Sequence, residues 1–174
     1  KHNKMKKIIT LLAVIGMFGF QGCEGPEGPP GVPGQDGLIA DVIEISNVSF
    51  TTSNNFGILK TFAVPIFSSD MVLVYRLSGI DNGEDVWSLL PENHYFNDGT
   101  LDFSYDFDFT RFDVNIFMVG NDLGTVADGF RINQVFRIVI IPADFINSVD
   151  KSNYKDVISK LKIDESQIQK IGLQ

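Results

Sequence analysis

The chain has 174 residues, 44% hydrophobic and 21% charged, with a formal net charge of −8 at neutral pH. That length suits one domain with appendages, and so apolar a chain is not a disordered one. A single cysteine excludes an internal disulfide framework, and two histidines, His2 and His94, leave little for a zinc site or a Ser-His-Asp triad. The acidic balance argues against nucleic acid as a partner, because phosphates demand a basic surface.

The first segment reads as an address. Lys4, Met5, Lys6 and Lys7 form a basic cluster, and Ile8 to Phe20 is almost wholly apolar. A basic start, a short apolar run and a small residue before the cut describe a secretory signal, here residues 1–22 with Met5 as the natural start. The run is too short for a membrane span, which needs roughly 20 residues.

Phe20-Gln21-Gly22-Cys23 resembles the lipobox of bacterial lipoproteins, with Phe20 where that family usually has Leu. The resemblance implies cleavage between Gly22 and Cys23 and a diacylglyceryl group on the Cys23 sulfur. Acyl chains bury methylenes at about 0.8 kcal/mol each, so several chains anchor a protein firmly. Glu24, in place of Asp, implies the outer membrane, and Glu24 and Glu27 resemble the export signals of surface-facing lipoproteins. Removing residues 1–22 takes Lys1, Lys4, Lys6 and Lys7 and no acid, which leaves a net charge of about −12. Attachment to the membrane is therefore expected through lipid and not through a basic face.

Glycine then recurs at every third place: Gly25, Gly28, Gly31, Gly34 and Gly37, with Pro26, Pro29, Pro30 and Pro33 between. This is the collagen signature, since only glycine fits the crowded axis of three polyproline II strands. Residues 23–37 thus read as a lipidated cysteine and a stalk. Two readings follow. In one, three chains wind together and the protein is a homotrimer. In the other, which so short a repeat favours, each chain is a semi-rigid spacer at about 3.1 Å per residue, reaching some 40 Å. The segment resembles bacterial outer-membrane lipoproteins with a collagen-like stretch after the lipobox cysteine.

From Leu38 onward the period is mostly two. Leu101 to Phe109 alternates without a break, and Asp113 to Met118 alternates with changed parity, so a hairpin turning near 108–111 is expected. Met71–Leu77 and Val135–Ile141 are nearly continuous apolar runs, suited to central strands covered on both faces. Further strands are expected over 39–50, 58–67 and 85–89. Between them lie turn signals such as Asn54-Asn55-Phe56-Gly57, Asp81-Asn82-Gly83, Asn97-Asp98-Gly99, Asn121-Asp122-Leu123-Gly124 and Asp128-Gly129. The fold class is therefore all-β: a single antiparallel β-sandwich, Ig-like or jelly-roll-like, over residues 38–145. Its expected core draws on Phe62, Phe67, Trp87, Phe103, Phe107, Phe117 and Phe136.

The tail, residues 146–174, reads as a small helical appendage. Tyr154, Val157, Ile158 and Leu161 fall at helical spacing, and Asp164 to Gln167 offers a capped turn. Ile168 and Ile171 either pack back on the sheets or enter a last short strand.

Candidate chemistry is sparse. Asp102, Asp106, Asp108 and Asp113 are the conspicuous carboxylates, and acids four apart on a strand lie about 13 Å from each other, too far for a glycosidase pair. Asp108 and Asp113 flank the expected hairpin turn and are weak candidates for a calcium site; a solvated outer face is the simpler reading. Asp81 to Asp85 lacks the spacing of a calcium loop and reads as a hairpin turn. His94 near Glu92 reads as a loop histidine, and Trp87, Tyr95 and Phe96 as either an aromatic platform or core. No glycine-rich phosphate loop opens a helix, so no cofactor is expected. The sequence therefore points to a non-enzymatic, lipid-anchored envelope module that binds an envelope protein or serves as an accessory subunit of an outer-membrane complex. A glycan-binding module and a glycan or peptide hydrolase are the alternatives.

Overall fold

The computed structural model describes residues 40–173, and its strands follow the turn chemistry of the sequence. In chain order they are β1 (Asp41–Val48), β2 (Gly57–Thr61), β3 (Met71–Asp81), β4 (Glu84–Leu89), β5 (Glu92–Tyr95), β6 (Leu101–Phe109), β7 (Asp113–Gly120), the one-turn helix α1 (Asp128–Arg131), β8 (Gln134–Ile141), the helix α2 (Tyr154–Leu161) and β9 (Gln169–Gly172). One sheet runs β4-β3-β8-β1-β9 and the other β2-β7-β6-β5.

The alternation in β6 and β7 has the expected consequence. The strands pair antiparallel with Phe109 opposite Val114, and their inward residues Phe103, Tyr105, Val114, Ile116 and Met118 are buried. Facing them across the core are Ile43, Ile45, Val72, Val74, Phe136, Ile138 and Ile140 of the five-stranded sheet. A β-bulge between Ile45 and Val48, with Asn47 at φ 58°, inserts a residue into β1 and keeps Val48 turned inward.

The nearly continuous apolar runs of β3 and β8 are covered on both faces, as a buried central strand requires. Their other face meets α2. Val42, Leu73, Tyr75, Val139 and Ile141 pack there with Tyr154, Val157 and Leu161, a second core under the helix. Asn153 caps α2 by accepting from the Asp156 N–H at 3.2 Å, and Lys162, at φ 56°, ends it in the left-handed region.

Several expectations need correction. The sandwich is not wholly antiparallel, because β9 pairs parallel with β1, Ile43 to Ser46 against Gln169 to Gly172. The last short strand left open for Ile171 forms as β9, so residues 146–173 supply a strand as well as a helix. The strand expected over 58–67 stops at Thr61, and Phe67 lies exposed in the following loop, its N–H held by the Asp70 carboxylate at 3.0 Å. Trp87 packs under the helix and not between the sheets, and Phe117 is half-buried on the opposite face from Ile116. Phe50 and Tyr105 fill the core between the sheets in their stead, each fully buried.

One side chain fastens the C-terminal segment. Arg137, 3% exposed, stands on the helix-facing side of β8. Its Nε donates to Glu44 Oε2 at 2.9 Å, and Nη2 lies 2.8 Å from the same oxygen. Nη1 donates to Glu165 Oε1 at 2.8 Å and to the Tyr154 hydroxyl at 2.6 Å, and Nη2 donates to Glu165 Oε2 at 3.0 Å. The guanidinium also lies 4.3 Å from the Trp87 ring centroid. Burial by itself would lower its pKa, but the hydrogen bonds to Glu165, Glu44 and Tyr154 outweigh burial and hold it above the ordinary value. Arg137→Met leaves the half-buried Glu44 carboxylate with only Lys170, 3.6 Å away, and is expected to cost about 3 kcal/mol in urea unfolding. Glu165→Gln, at a carboxylate 64% exposed, is expected to cost about 1 kcal/mol or less.

Candidate functional site

β-strand register defines the two ends of the domain. Asp41 lies opposite Ile140, and Met71 opposite Ile141, so β1 begins at the end where β3 begins. The turn 110–112 lies at that end too, because Ile66 donates its N–H to Arg111 O at 2.9 Å in the loop that leads into β3. The β5–β6 turn, at the other end of β6, therefore lies at the far end of the domain from Asp41.

The far end is braced by a second buried arginine. Period two turns Arg76 of β3 inward, toward Glu92 at the start of β5. Arg76 donates from Nε and Nη2 to the two Glu92 oxygens at 2.8 and 2.6 Å, and from Nη1 to Gln134 Oε1 at 3.1 Å. This fork joins the two sheets. Burial alone would lower the Arg76 pKa; the Glu92 hydrogen bond and charge reverse the sign and raise it. The guanidinium lies 4.8 Å from the Tyr105 ring centroid. Burial raises the Tyr105 pKa against the opposing charge of Arg76, and its hydroxyl donates to Phe130 O.

His94 lies on β5 and not in a loop, a correction that follows from its pairing with Phe103 across the ladder. Its Nε2 is 3.0 Å from Glu92 Oε1, and its ring stacks on Phe103 with centroids 4.4 Å apart. The sequence placed His94 with Glu92 but missed Arg76 and Tyr105. The signal was an arginine inside an otherwise apolar run, a charge that such a strand buries only when paired.

Beyond this brace the β5–β6 tip exposes apolar surface. Tyr95 is 60% exposed, Phe96 54% and Leu101 44%. Tyr95 lies opposite Leu101, and Phe96 donates its N–H to Thr100 O at 2.9 Å. Gly99 turns the chain at φ 85°. Asp98 accepts from the Thr100 hydroxyl at 2.7 Å and from its N–H at 2.9 Å, and these bonds hold its carboxyl below the usual range. Trp87 does not join Tyr95 and Phe96 in one platform. It sits on β4, in the other sheet, with its ring 5.5 Å from that of Tyr154.

The remaining candidates fall as follows. Asp81 to Glu84 is a hairpin turn, with Asn82 and Gly83 at φ 51° and 86°. It borders a shallow groove of about 630 Å³ toward Asp150 and Lys155, in which Lys155 and Glu84 pair at 3.2 Å. Alternation turns Asp102, Asp106 and Asp108 away from the core, on the outer face of the four-stranded sheet. Asp113 Oδ1 accepts from the Thr110 hydroxyl at 2.7 Å. Among the described residues no group of three or more His, Cys, Asp or Glu side chains is placed to hold a metal ion. Gly22, Cys23 and the glycines at 25, 28, 31, 34 and 37 lie outside the described residues. No helix among the described residues is long and apolar enough to cross a membrane, which says nothing of a lipid anchor.

No family model, curated protein or solved structure matches the chain. The brace itself is chemically committed: Glu92 spends both oxygens on Arg76 and one also on His94. Glu92→Gln removes the charge opposite a buried guanidinium and is expected to cost about 3 kcal/mol or more. Urea unfolding and faster amide exchange across β5 would register the loss.

Proposed function

We propose that the protein is a lipid-anchored envelope module that binds a partner through the far end of its domain. The observation that carries this reading is the polarity of the fold. The chain enters at Asp41, at one end, while Tyr95, Phe96 and Leu101 are exposed at the other. A domain tethered at Cys23 by a glycine-every-third stalk would present that apolar tip away from the membrane. Exposed aromatic residues grouped on one tip are the usual mark of a docking surface. The acidic residues beside them (Asp98, Asp102) suit a polar rim.

The nested pairs β1–β8 and β2–β7 favour a jelly-roll-like over an Ig-like description of the sandwich. An outer-membrane protein is the partner class that the lipobox resemblance supports best. A glycan is the second reading, favoured by the neighbouring exposed rings of Tyr95 and Phe96.

Two experiments test the two halves of the proposal. Fatty-acid labelling of the protein in its own cells is expected to vanish in Cys23→Ala, and persistent labelling would refute the anchor. Crosslinking in native membranes, read by mass spectrometry, is expected to recover one dominant envelope protein. Tyr95→Ala/Phe96→Ala is expected to reduce that recovery at least about tenfold, the loss of roughly 1.4 kcal/mol or more that two aromatic contacts supply. Undiminished recovery would place the partner elsewhere on the domain.

A further inference from the structure

The five-stranded sheet ends in β4 and β9, and the four-stranded sheet in β5 and β2. An open edge is a row of unpaired backbone groups, which proteins guard by shortness, by bulges or by charge. β5 has four residues and a register shift between His94 and Tyr95. β9 also has four, and β4 opens on Glu84 and Asp85. β2 keeps unbroken register with β7 from Gly57 to Thr61 and bears a single charge, Lys60.

The hydrogen bonds that flank β2 show which of its groups are open. Met118 donates its N–H to Phe56 O at 2.9 Å, and Phe62 donates to Phe112 O at 2.8 Å. Bonded and unbonded pairs alternate along an antiparallel ladder, so Ile58 and Lys60 are the residues that bond to β7. Gly57, Leu59 and Thr61 therefore aim N–H and C=O at the open edge. Ile58 packs on the main core, which turns Leu59 to the outer face, 65% exposed. Beside it lies a hollow of about 470 Å³ between Asn54, Asn55, Leu59 and Phe117. Gly57, opposite Phe117, puts no side chain into it. Lys60 shares the inner face with Ile58, opposite the buried Val114. Among the described residues no carboxylate pairs with Lys60.

We propose that the β2 edge is a docking site for an extended segment of another protein, which adds to the sheet as a fifth, antiparallel strand. Its backbone bonds to Gly57, Leu59 and Thr61, and the hollow takes an apolar side chain over Gly57, the division of labour of strand addition. Charge chooses the occupant. The residue opposite Lys60 stands in an unbonded pair, with Cα atoms about 4.5 Å apart, so an acidic side chain there meets the lysine directly. A wholly apolar strand strips water from the ammonium and returns nothing, which is how an inward-pointing charge guards an edge. A second copy of β2 brings another Lys60 to the same face and no acid. The lysine thus rejects self-pairing and admits a strand that alternates apolar and acidic residues. β2 is the opposite edge of its sheet from β5, so this site is separate from the far tip and stands whether or not that tip binds a partner.

The probe is the blocked peptide acetyl-Thr-Glu-Val-Val-Phe-amide, whose glutamate falls opposite Lys60 and whose phenylalanine falls opposite Gly57. Fluorescence anisotropy of a labelled copy with the whole chain in detergent is expected to give a Kd on the order of 1 mM or tighter. Lys60→Glu is expected to weaken binding about tenfold, and a peptide with lysine for glutamate to prefer Lys60→Glu over the wild type. Leu59→Pro removes an edge-facing N–H that β7 does not use. It is expected to weaken both peptides about tenfold while keeping the β-sheet circular dichroism of the wild type. Should Leu59→Pro lose that spectrum, the peptide methylated on the nitrogen of its first valine decides instead, with the same loss expected on the unaltered protein. Ile80→Glu, at an exposed apolar residue of β3, is expected to change nothing. Absence of binding would overturn the proposal, as would an affinity indifferent to Lys60→Glu and to the methyl group. So would self-association of the wild type that Leu59→Pro abolishes, since the occupant would then be a second copy.

Discussion

The whole arrangement of the C-terminal segment depends on one buried positive charge. A guanidinium removed from water costs several kcal/mol unless its donors and its charge are met. Arg137 stands in the middle of a sheet, between Phe136 and Ile138, on the face away from the main core. Glu44 on β1 meets part of the need, at 2.9 Å, but leaves donors on Nη1 unmet. Glu165 and Tyr154 supply the rest, and both come from the segment after β8. The charge therefore specifies where α2 must lie, which edge β9 must take and which face Trp87 must cover.

Arg76 applies the same constraint to the inner face. It stands at the far end of the core, where the facing sheets need a cross-link and where an apolar residue would leave Glu92 with only His94 beside it. The connection that brings its partner across is short, since Glu92 opens β5 after a crossing of only Leu90 and Pro91 from β4. The two arginines thus do opposite jobs with the same chemistry. Arg137 ties a late segment onto the outside of a sheet, and Arg76 ties one sheet to the other. Both have their guanidinium against an aromatic ring, Trp87 and Tyr105, so that the flat faces are covered while the edges are hydrogen-bonded.

These pairings mark where sequence reasoning stopped. Period-two alternation located β6 and β7, and unbroken apolar runs located β3 and β8, because burial of one face or two leaves a direct imprint on hydrophobicity. The helical spacing of Tyr154, Val157, Ile158 and Leu161 was legible for the same reason. β5 was not, since Glu92-Asn93-His94-Tyr95 is polar and becomes a strand only through Arg76 and the ladder to β6. β9 was ambiguous because Gln169–Gly172 is mostly exposed and gains its place from pairing with β1. Trp87 was misplaced because hydrophobicity says that a residue is buried but not against which layer, and Phe67 because β2 stops at Thr61 and leaves it in an exposed loop. Of the candidate site, His94 with Glu92 was visible as a neighbouring pair; the exposure of Tyr95 and Phe96 was open until the tip was seen.

The sheets give the domain a direction. In an antiparallel hairpin the turn and the open end lie apart by the length of the strands, so a chain that enters at one end of β1 finds β5–β6 turning at the other. That separation is structural and independent of what binds. It acquires meaning from the residues at each end: a tyrosine, a phenylalanine and a leucine at the far tip, and a valine and three phenylalanines around the near turn. An isolated soluble domain has every reason to cover or replace both groups, because each adds solvent-exposed apolar area to a chain that is otherwise strongly acidic. The two groups stand at opposite ends of the sheets, so covering one leaves the other open to solvent.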